Sequence, residues 1–586
     1  MSTLGVGPLR RAWTLALQLL VVALPLAAAS PRAPHGTSGA VASDDARGTA
    51  AGLEVLAAGG NAVDAAVATA LALAVAFPEA GNLGGGGFAV VRMAGNGGPE
   101  VASLDFREEA PAAATRGMYL DEHGDPIPEA SLVGPLAAGV PGSPTGLWEL
   151  HRRFGKLPWA QVVSPAERLA ASGFTVDANL HRQLEKDRDL LARFPESAAR
   201  WLPGGEVPAV GTVIREPDLA ATLHAYAERG PEAITRGEVA ERILAVSRRQ
   251  GGVLTAADLA GYRPVWRRPV TFDAFGWHVA TMGLPSSGGA ILGEVFGILE
   301  RRGWAALPRF GADRAHLLVE AFRRAFADRF LLGDPTTSRV TEAQVLSASW
   351  LDRRAAGIEP AHATDSKSLA APAGPPPRES RDTTHLVVMD GDGNVVSLTT
   401  TLNALFGCKS WVPGFGFLND EMDDFAAAPG RPNLYGLVQG EANAVRPGKR
   451  MLSSMSPTIA WRETAADNGE NGPGGEEILA LGGRGGSKIP TNVAQVLLDV
   501  MVDGDALQAA LDRPRVHHQW LPDRLEAEPD ALSPETRAAL ETRGHHIEIT
   551  PDTAEVNAAM RLPDGSEEAA VDPRGPGQAA VAHPER

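Results

Sequence analysis

Between Pro375 and Asn403 the chain reads "PPPRESRDTTHLVVMDGDGNVVSLTTTLN". A proline-rich, charged run meets an alternating apolar run, and Asp382-Thr383-Thr384-His385 stands at the seam. The apolar part divides into "HLVVMD" and "NVVSLTTTLN" around Asp390-Gly391-Asp392-Gly393-Asn394, a strong signal for a hairpin, so Thr383 falls at the first residue of a strand. If the bond between Asp382 and Thr383 is cut, Thr383 carries a hydroxyl nucleophile and a free α-amine on one residue. Such an amine has a pKa of about 7.7 to 8.0 and can act as the base that activates the hydroxyl near neutral pH. A lone Thr-Thr after a linker is more often just a pair of β-branched strand formers. The rest of the chain has to decide.

The first thirty residues, "MSTLGVGPLRRAWTLALQLLVVALPLAAAS", have Arg10-Arg11 as a positive start, Trp13 to Leu26 as an apolar run and Ala27-Ala28-Ala29 as small residues for a signal peptidase. This predicts a cleaved export signal over residues 1–29 and a periplasmic or extracellular protein. The run is shorter than the roughly 20 residues a membrane-spanning helix needs. Arg10-Arg11 also allows a twin-arginine route, although the flanking residues match that pattern poorly. Removing a leader with two arginines and no acid takes the formal charge from -17 to -19. Such acidity argues against nucleic acid or an anionic membrane as partner. One cysteine, Cys408, allows no internal disulfide and no cysteine-based zinc site in an exported chain of 586 residues, so stability must come from core burial.

Along the chain, "GLEVLAAGGNAVDAAVATALALAVAFP" (residues 52–78) predicts a buried helix pair with Asn61 as an N-cap. "GNLGGGGFAVVRM" is a glycine loop entering a strand, and "VASLDFREEAP" is a strand ending at Arg107. No Lys-Ser/Thr follows the glycines and no GxGxxG opens a helix, so tight backbone packing is expected there, not a nucleotide site. Residues 142–360 read mostly as amphipathic helices with one strand excursion at "RRPVTFDAFGWHVATM". "AHATDSKSLAAPAGPPPRES", residues 361–380, has the composition of a mobile linker. Beyond the hairpin come "EILALGGRGGSK" and a helix at about 491–503. The expected class is α+β, a layered αββα sandwich.

Several long motifs, in order and spacing, resemble the γ-glutamyltransferase (glutathione hydrolase) family. They are "GGNAVDAAVATALAL", "GGGGFAVV", "LDFREEAP", "PSSGGA", "DTTHLVVMDGDGNVVSLTTTLNALFG", "GFLNDEMDDF", "PGRPNLYGLVQGEANAV", "RMLSSMSPTIA", "GGRGGS" and "RPRVHHQWLPD". The resemblance runs from about Gly39 to Gly577. It implies the four-layer fold of N-terminal nucleophile hydrolases, built from two subunits cut from one precursor: a large one over residues 30–382 and a small catalytic one over 383–586. The linker at 361–380 would let the cut end swing away.

Position by position, the resemblance implies Thr383 as nucleophile, Thr401 as its hydrogen-bonding partner, and Gly485 and Gly486 as the oxyanion hole. Arg484 departs from the proline or alanine common at that place in the family. Arg107 would grip the α-carboxylate of a γ-glutamyl donor with its forked guanidinium, assisted by Ser453 and Ser454. Asn403, Glu421 and Asp424 would receive the α-ammonium. Tyr435 would gate a lid loop over residues 429–440. Read without the family, Arg107 could be a surface ion pair with Glu108 or Glu109, and the acids of "DEMDDF" a solvated turn or a metal site. His517-His518 lacks a third ligand at suitable spacing, and Cys408 reads as packing, so no metal and no organic cofactor is expected.

The implied activity is γ-glutamyl transfer and hydrolysis, with glutathione and related compounds as donors and water, amino acids or peptides as acceptors. A glutaryl-cephalosporin acylase on the same fold is the nearest alternative. A secreted binding protein without catalysis is the alternative of another class.

Overall fold

The strand that begins at Thr383 sits in the middle of a sheet, and the fold is easiest to build outward from it. The computed structural model describes residues 33–95, 97–369, 383–431, 438–464 and 475–582. Thr383–Asp390 pairs antiparallel with Val395–Thr401 in full register, Thr383 opposite Thr401. Gly39–Ser43 flanks it on the other side, and Gly86–Met93 continues the sheet beyond Val395–Thr401. Gln578–Val581, Glu100–Asp105 and Val265–Arg267 complete seven strands. A second seven-stranded sheet runs in the order His35–Gly36, Glu567–Ala570, Glu555–Arg561, Glu476–Arg484, Thr458–Glu463, Trp277–Thr281, Val270–Ala274.

Alternation along Thr383–Asp390 separates its two faces. Leu386 and Val388 belong to one core with the helices Ala46–Ala57 and Ala62–Ala76. Val387 and Met389 belong to the other, with Ile478, Leu479 and Leu481 of the second sheet. That second core extends to Gly288–Arg301, Ala312–Arg329 and Ile489–Met501. The layers are therefore helix, sheet, sheet, helix, the expected αββα order. The sheets approach closely beside the seam: Ser397 Oγ donates to the Leu481 carbonyl at 2.9 Å, and a Cβ on Gly482 would lie 2.3 Å from the His385 ring.

Local expectations meet the structure with small shifts. Asn61 caps Ala62–Ala76 through a capping box with Asp64. The helix pair opens earlier than expected, at Ala46, with Asp45 as its cap. The glycine loop is tight packing, since a Cβ on Gly85 would sit 2.0 Å from the Thr401 carbonyl oxygen. The strand excursion is a hairpin, Val270–Ala274 with Trp277–Thr281. No described helix is long and apolar enough to cross a membrane. The leader at 1–29 lies outside the described residues.

Part of the stretch expected to be a mobile linker from 361 lies within the described residues. Among residues 361–369 a 3-10 turn forms at Ser366–Ser368 and Ser366 is fully buried, while most of its neighbours stay exposed. The partners of Thr364 and Ser366 come from distant parts of the chain. Residues 370–380 lie outside the described residues.

Candidate active site

Thr383 is nearly buried, and its hydroxyl lies 3.5 Å from that of Thr401, its register partner. Thr401 Oγ1 in turn accepts the Asn403 backbone N–H at 2.8 Å. Asn403 holds φ at +75°, which asparagine tolerates better than most residues, and its side-chain amide donates to the Asp420 carbonyl at 3.1 Å. The strand thus ends in a tight turn that returns its next polar side chains toward Thr383.

One small cavity, about 20 Å³, is lined by Thr383 and Thr401 together with Arg107, Asn403, Glu421, Asp424, Ser453, Ser454 and Gly486. Arg107 enters it from just past the Glu100–Asp105 strand. Its Nη1 lies 2.7 Å from Glu421 Oε2, its Nη2 donates to Asp424 Oδ2 at 2.6 Å, and its Nε donates to the Met451 carbonyl at 3.2 Å. Arg107 is neither on the surface nor paired with Glu109. The "DEMDDF" acids form a buried 3-10 turn, Glu421–Asp424, not a solvated one. Gln439 and Asn443 hold that turn by donating side-chain N–H groups to the Asp424 carbonyl, at 2.8 and 2.7 Å.

The electrostatics are crowded. Glu108, Glu421 and Asp424 are all buried around the Arg107 guanidinium, and the Glu108 carboxylate oxygens have no hydrogen-bond partner on another described residue. Burial, with Glu421 adding to it, pushes the Glu108 carboxyl well above its usual range. Burial likewise raises Glu421 to about 8 against the pull of Arg107, and Asp424 moves up for the same reason. Burial, the largest cause for each of the three acids, disfavours their charged forms, while Arg107 favours them. Burial pulls Arg107 down, but Glu421 and Asp424 outweigh it and hold the guanidinium charged. Arg329 is a second buried cation near Asp424; burial brings it down to about 10.

Ser453 and Ser454 reach the cavity because a neighbouring loop fixes their backbone. Ser287 donates to the Ser453 carbonyl from its N–H (2.9 Å) and its hydroxyl (2.7 Å), while Ser286 Oγ donates to the Met455 carbonyl at 2.6 Å. The Ser454 hydroxyl is buried, lines the cavity and has no hydrogen-bond partner among the described residues. Sequence reading assigned no role to Glu108, Ser286, Ser287, Gln439 or Asn443. Glu108 sits next to Arg107 and "PSSGGA" is a motif, yet only the contacts show what they support.

Gly485 and Gly486 follow the Glu476–Arg484 strand with φ of +136° and +57°, a course that favours glycine. Gly486 lines the cavity; Gly485 turns the chain toward it, and a Cβ there would come within 2.7 Å of Ala554 Cβ. Arg484, the departure from the family pattern, is buried, over the Phe77 ring at 5.5 Å and 3.6 Å from Glu555. Asp382 and Tyr435 lie outside the described residues.

The remaining candidates stand apart from the cavity. Burial pushes the Cys408 thiol up to about 12, as suits a packing residue. His517 bonds to Thr491 and Gln519, and His518 to Asp523. One group of three possible metal ligands, His316, Glu320 and His545, occurs among the described residues. Its members are already engaged: the imidazoles bond to each other at 2.7 Å, and Glu320 is paired with Arg323 and Arg324.

Known proteins resemble this chain over most of its length. A family model described as gamma-glutamyltranspeptidase matches residues 48–582. The chain is 41% identical over 571 residues to the glutathione hydrolase proenzyme of Pseudomonas aeruginosa, covering 96% of this chain and 98% of that protein. Among solved structures, the cephalosporin acylase from Bacillus halodurans superposes with a TM-score of 0.79 at 28% identity, covering 97% of this chain and all of that one. Gamma-glutamyltranspeptidase from Pseudomonas nitroreducens gives 0.52 at 40% identity, covering 56% of this chain and 96% of that one.

Proposed function

The chain belongs to the gamma-glutamyltranspeptidase family, and from that premise we propose how its residues divide the work. It is a γ-glutamyltransferase and glutathione hydrolase, made as an exported precursor that breaks its own bond between Asp382 and Thr383. The large chain is residues 30–382 and the small chain 383–586. The observation that carries this reading is the meeting of Thr383 with Arg107, Glu421 and Asp424 on one cavity.

In the precursor the Thr383 hydroxyl attacks the Asp382 carbonyl carbon, the acyl group moves from nitrogen to oxygen, and water hydrolyses the resulting ester. Asp382 leaves as a carboxylate and Thr383 gains its amine. In turnover the same hydroxyl attacks the γ-amide carbon of the donor while the α-amine takes its proton. Collapse of the tetrahedral intermediate breaks the C–N bond, and the amine base returns the proton to the leaving amine. Water, or the amino group of an acceptor, then attacks the γ-glutamyl ester and releases glutamate or a new γ-glutamyl amide. Thr401 orients the nucleophile, and the backbone N–H groups of Gly485 and Gly486 face the developing oxyanion. Tyr435 belongs to the lid that limits access of water.

Recognition follows from the charge pattern. A γ-glutamyl donor brings one carboxylate and one ammonium, which replace the existing Arg107 pairs with Glu421 and Asp424: the carboxylate goes to Arg107, Ser453 and Ser454, the ammonium to Asn403 and the two acids. A glutaryl amide has no ammonium and leaves the acids uncompensated, which disfavours the acylase reading.

The test is purification of the full chain, N-terminal sequencing, and assay with glutathione and a glutaryl amide. Two chains, the smaller starting Thr-Thr-His-Leu, with preference for glutathione, are expected. A single uncut chain, or preference for the glutaryl amide, would sink the reading.

A further inference from the structure

The stretch before residue 370 has a polar environment of its own, and none of its residues lines the cavity. The Thr364 backbone N–H donates to Glu320 Oε1 at 3.1 Å, and its hydroxyl donates to Glu320 Oε2 at 2.5 Å. Ser366 is held on three sides: its N–H donates to Asp523 Oδ2 at 3.0 Å, its carbonyl accepts Trp520 Nε1–H at 2.7 Å, and its hydroxyl accepts from Arg323. Arg323 also bonds to Asp523 and to Glu320, which closes the network. Ser366, Glu320, Arg323 and Trp520 are all buried.

We propose that Glu320, Arg323, Trp520 and Asp523 form a clamp that fixes Thr364–Ser366 to the body of the enzyme before and after the chain is cut. This inference rests on the cleavage site proposed above. Glu320 and Arg323 belong to the large chain, Trp520 and Asp523 to the small one, so the clamp also ties the two products together.

The physical argument is one of satisfied groups. Ser366 is buried and Thr364 half-buried, so losing these partners would leave main-chain polar groups unpaired where water reaches them poorly. Each partner is rigid or charged: an indole on a buried ring, and two carboxylates held by a guanidinium. A merely flexible tether would need none of this. With the clamp in place, cleavage cannot unravel the chain back into the helix Ala348–Ala356, which packs against Gly288–Arg301. The clamp residues position the large chain and take no part in turnover.

Lys367 supplies a direct readout, because its side chain is exposed while its backbone N–H is held by Asp365 in the same 3-10 turn. In the mature enzyme, trypsin should cut after Lys367 slowly and the Ser366 amide should exchange slowly with deuterium. In Trp520→Phe combined with Asp523→Asn, both rates should rise by roughly tenfold or more, with kcat and KM for glutathione unchanged. Ser366→Ala, which removes only the hydroxyl, should fold as wild type and show a smaller rise in the same direction. Wild-type cutting after Lys367 at the variant's rate, or a Ser366 amide that exchanges equally fast in both, would overturn the clamp. A preparation that stays uncut between Asp382 and Thr383 would count against the cleavage site alone; the clamp is then judged by the same two rates on the single chain.

Discussion

The hydroxyls of Thr383 and Thr401 lie 3.5 Å apart across one antiparallel register pair. The relationship is set by backbone pairing, so the nucleophile and its partner are aligned by the sheet itself. Thr383→Ala should stay a single chain with no γ-glutamyl hydrolysis. Thr401→Val keeps the shape but removes the hydroxyl that also accepts Asn403 N–H, and should lower kcat by about 10–100-fold, the worth of one or two hydrogen bonds. Thr401→Ser should recover most of it. Electrophoresis and steady-state kinetics check all three.

Arg107 stands between two buried acids, so its loss has two separable effects. Arg107→Met should raise KM for glutathione by about 100-fold or more, because a charge-assisted bidentate contact is gone. It should also destabilise the protein by about 3–5 kcal/mol, since a buried ion pair is left with one side. Arg107→Lys should restore part of the stability and less of the KM. Denaturant unfolding beside kinetics separates the two.

At Gly485 the backbone has φ +136° and a side chain would strike Ala554. Gly485→Ala should displace the following N–H groups and cut kcat by about 10²–10³, the usual cost of losing an oxyanion donor, with KM little changed. An unchanged kcat would remove Gly485 from the proposed oxyanion hole.

Buried histidines set an acid limit. Burial holds His385 and His517 down at about 3 and His518 at about 4, so the folded state keeps them neutral while the unfolded chain protonates near pH 6.5. A folded pKa lowered in this way means that stability is fully present above pH 6.5 and is lost as pH falls toward about 4 for His518 and about 3 for His385 and His517. Each such imidazole adds up to about 1.4 kcal/mol per pH unit to the slope in that window. His517→Gln should flatten the slope by one proton, whatever its effect on the midpoint, in urea unfolding at pH 4.5–6.5.

Much of the fold was legible because its signals are local. The hairpin turn at Asp390–Asn394, the N-cap at Asn61 and the alternation after Thr383 each depend on neighbours a few residues away. The layer order followed from helices and strands that must bury one face. Less local features were misjudged. Residues 361–369 have linker composition, yet Thr364 and Ser366 are bonded to Glu320, Trp520 and Asp523, at separations of about 40 to 160 residues. Motif order drew attention to Arg107, Glu421 and Asp424, but not to Glu108, whose buried carboxyl crowds the same guanidinium.

The sequence by itself determined the chemistry on offer: a threonine at a strand start, an arginine, a cluster of acids and glycines placed where the backbone must turn. These are matters of residue type and short-range geometry. Only the tertiary structure decided which of them share a cavity, and that Arg107 is paired with both acids inside it. It also decided where the chain ahead of Thr383 is held, because burial and charge pairing depend on segments hundreds of residues apart that only packing brings together.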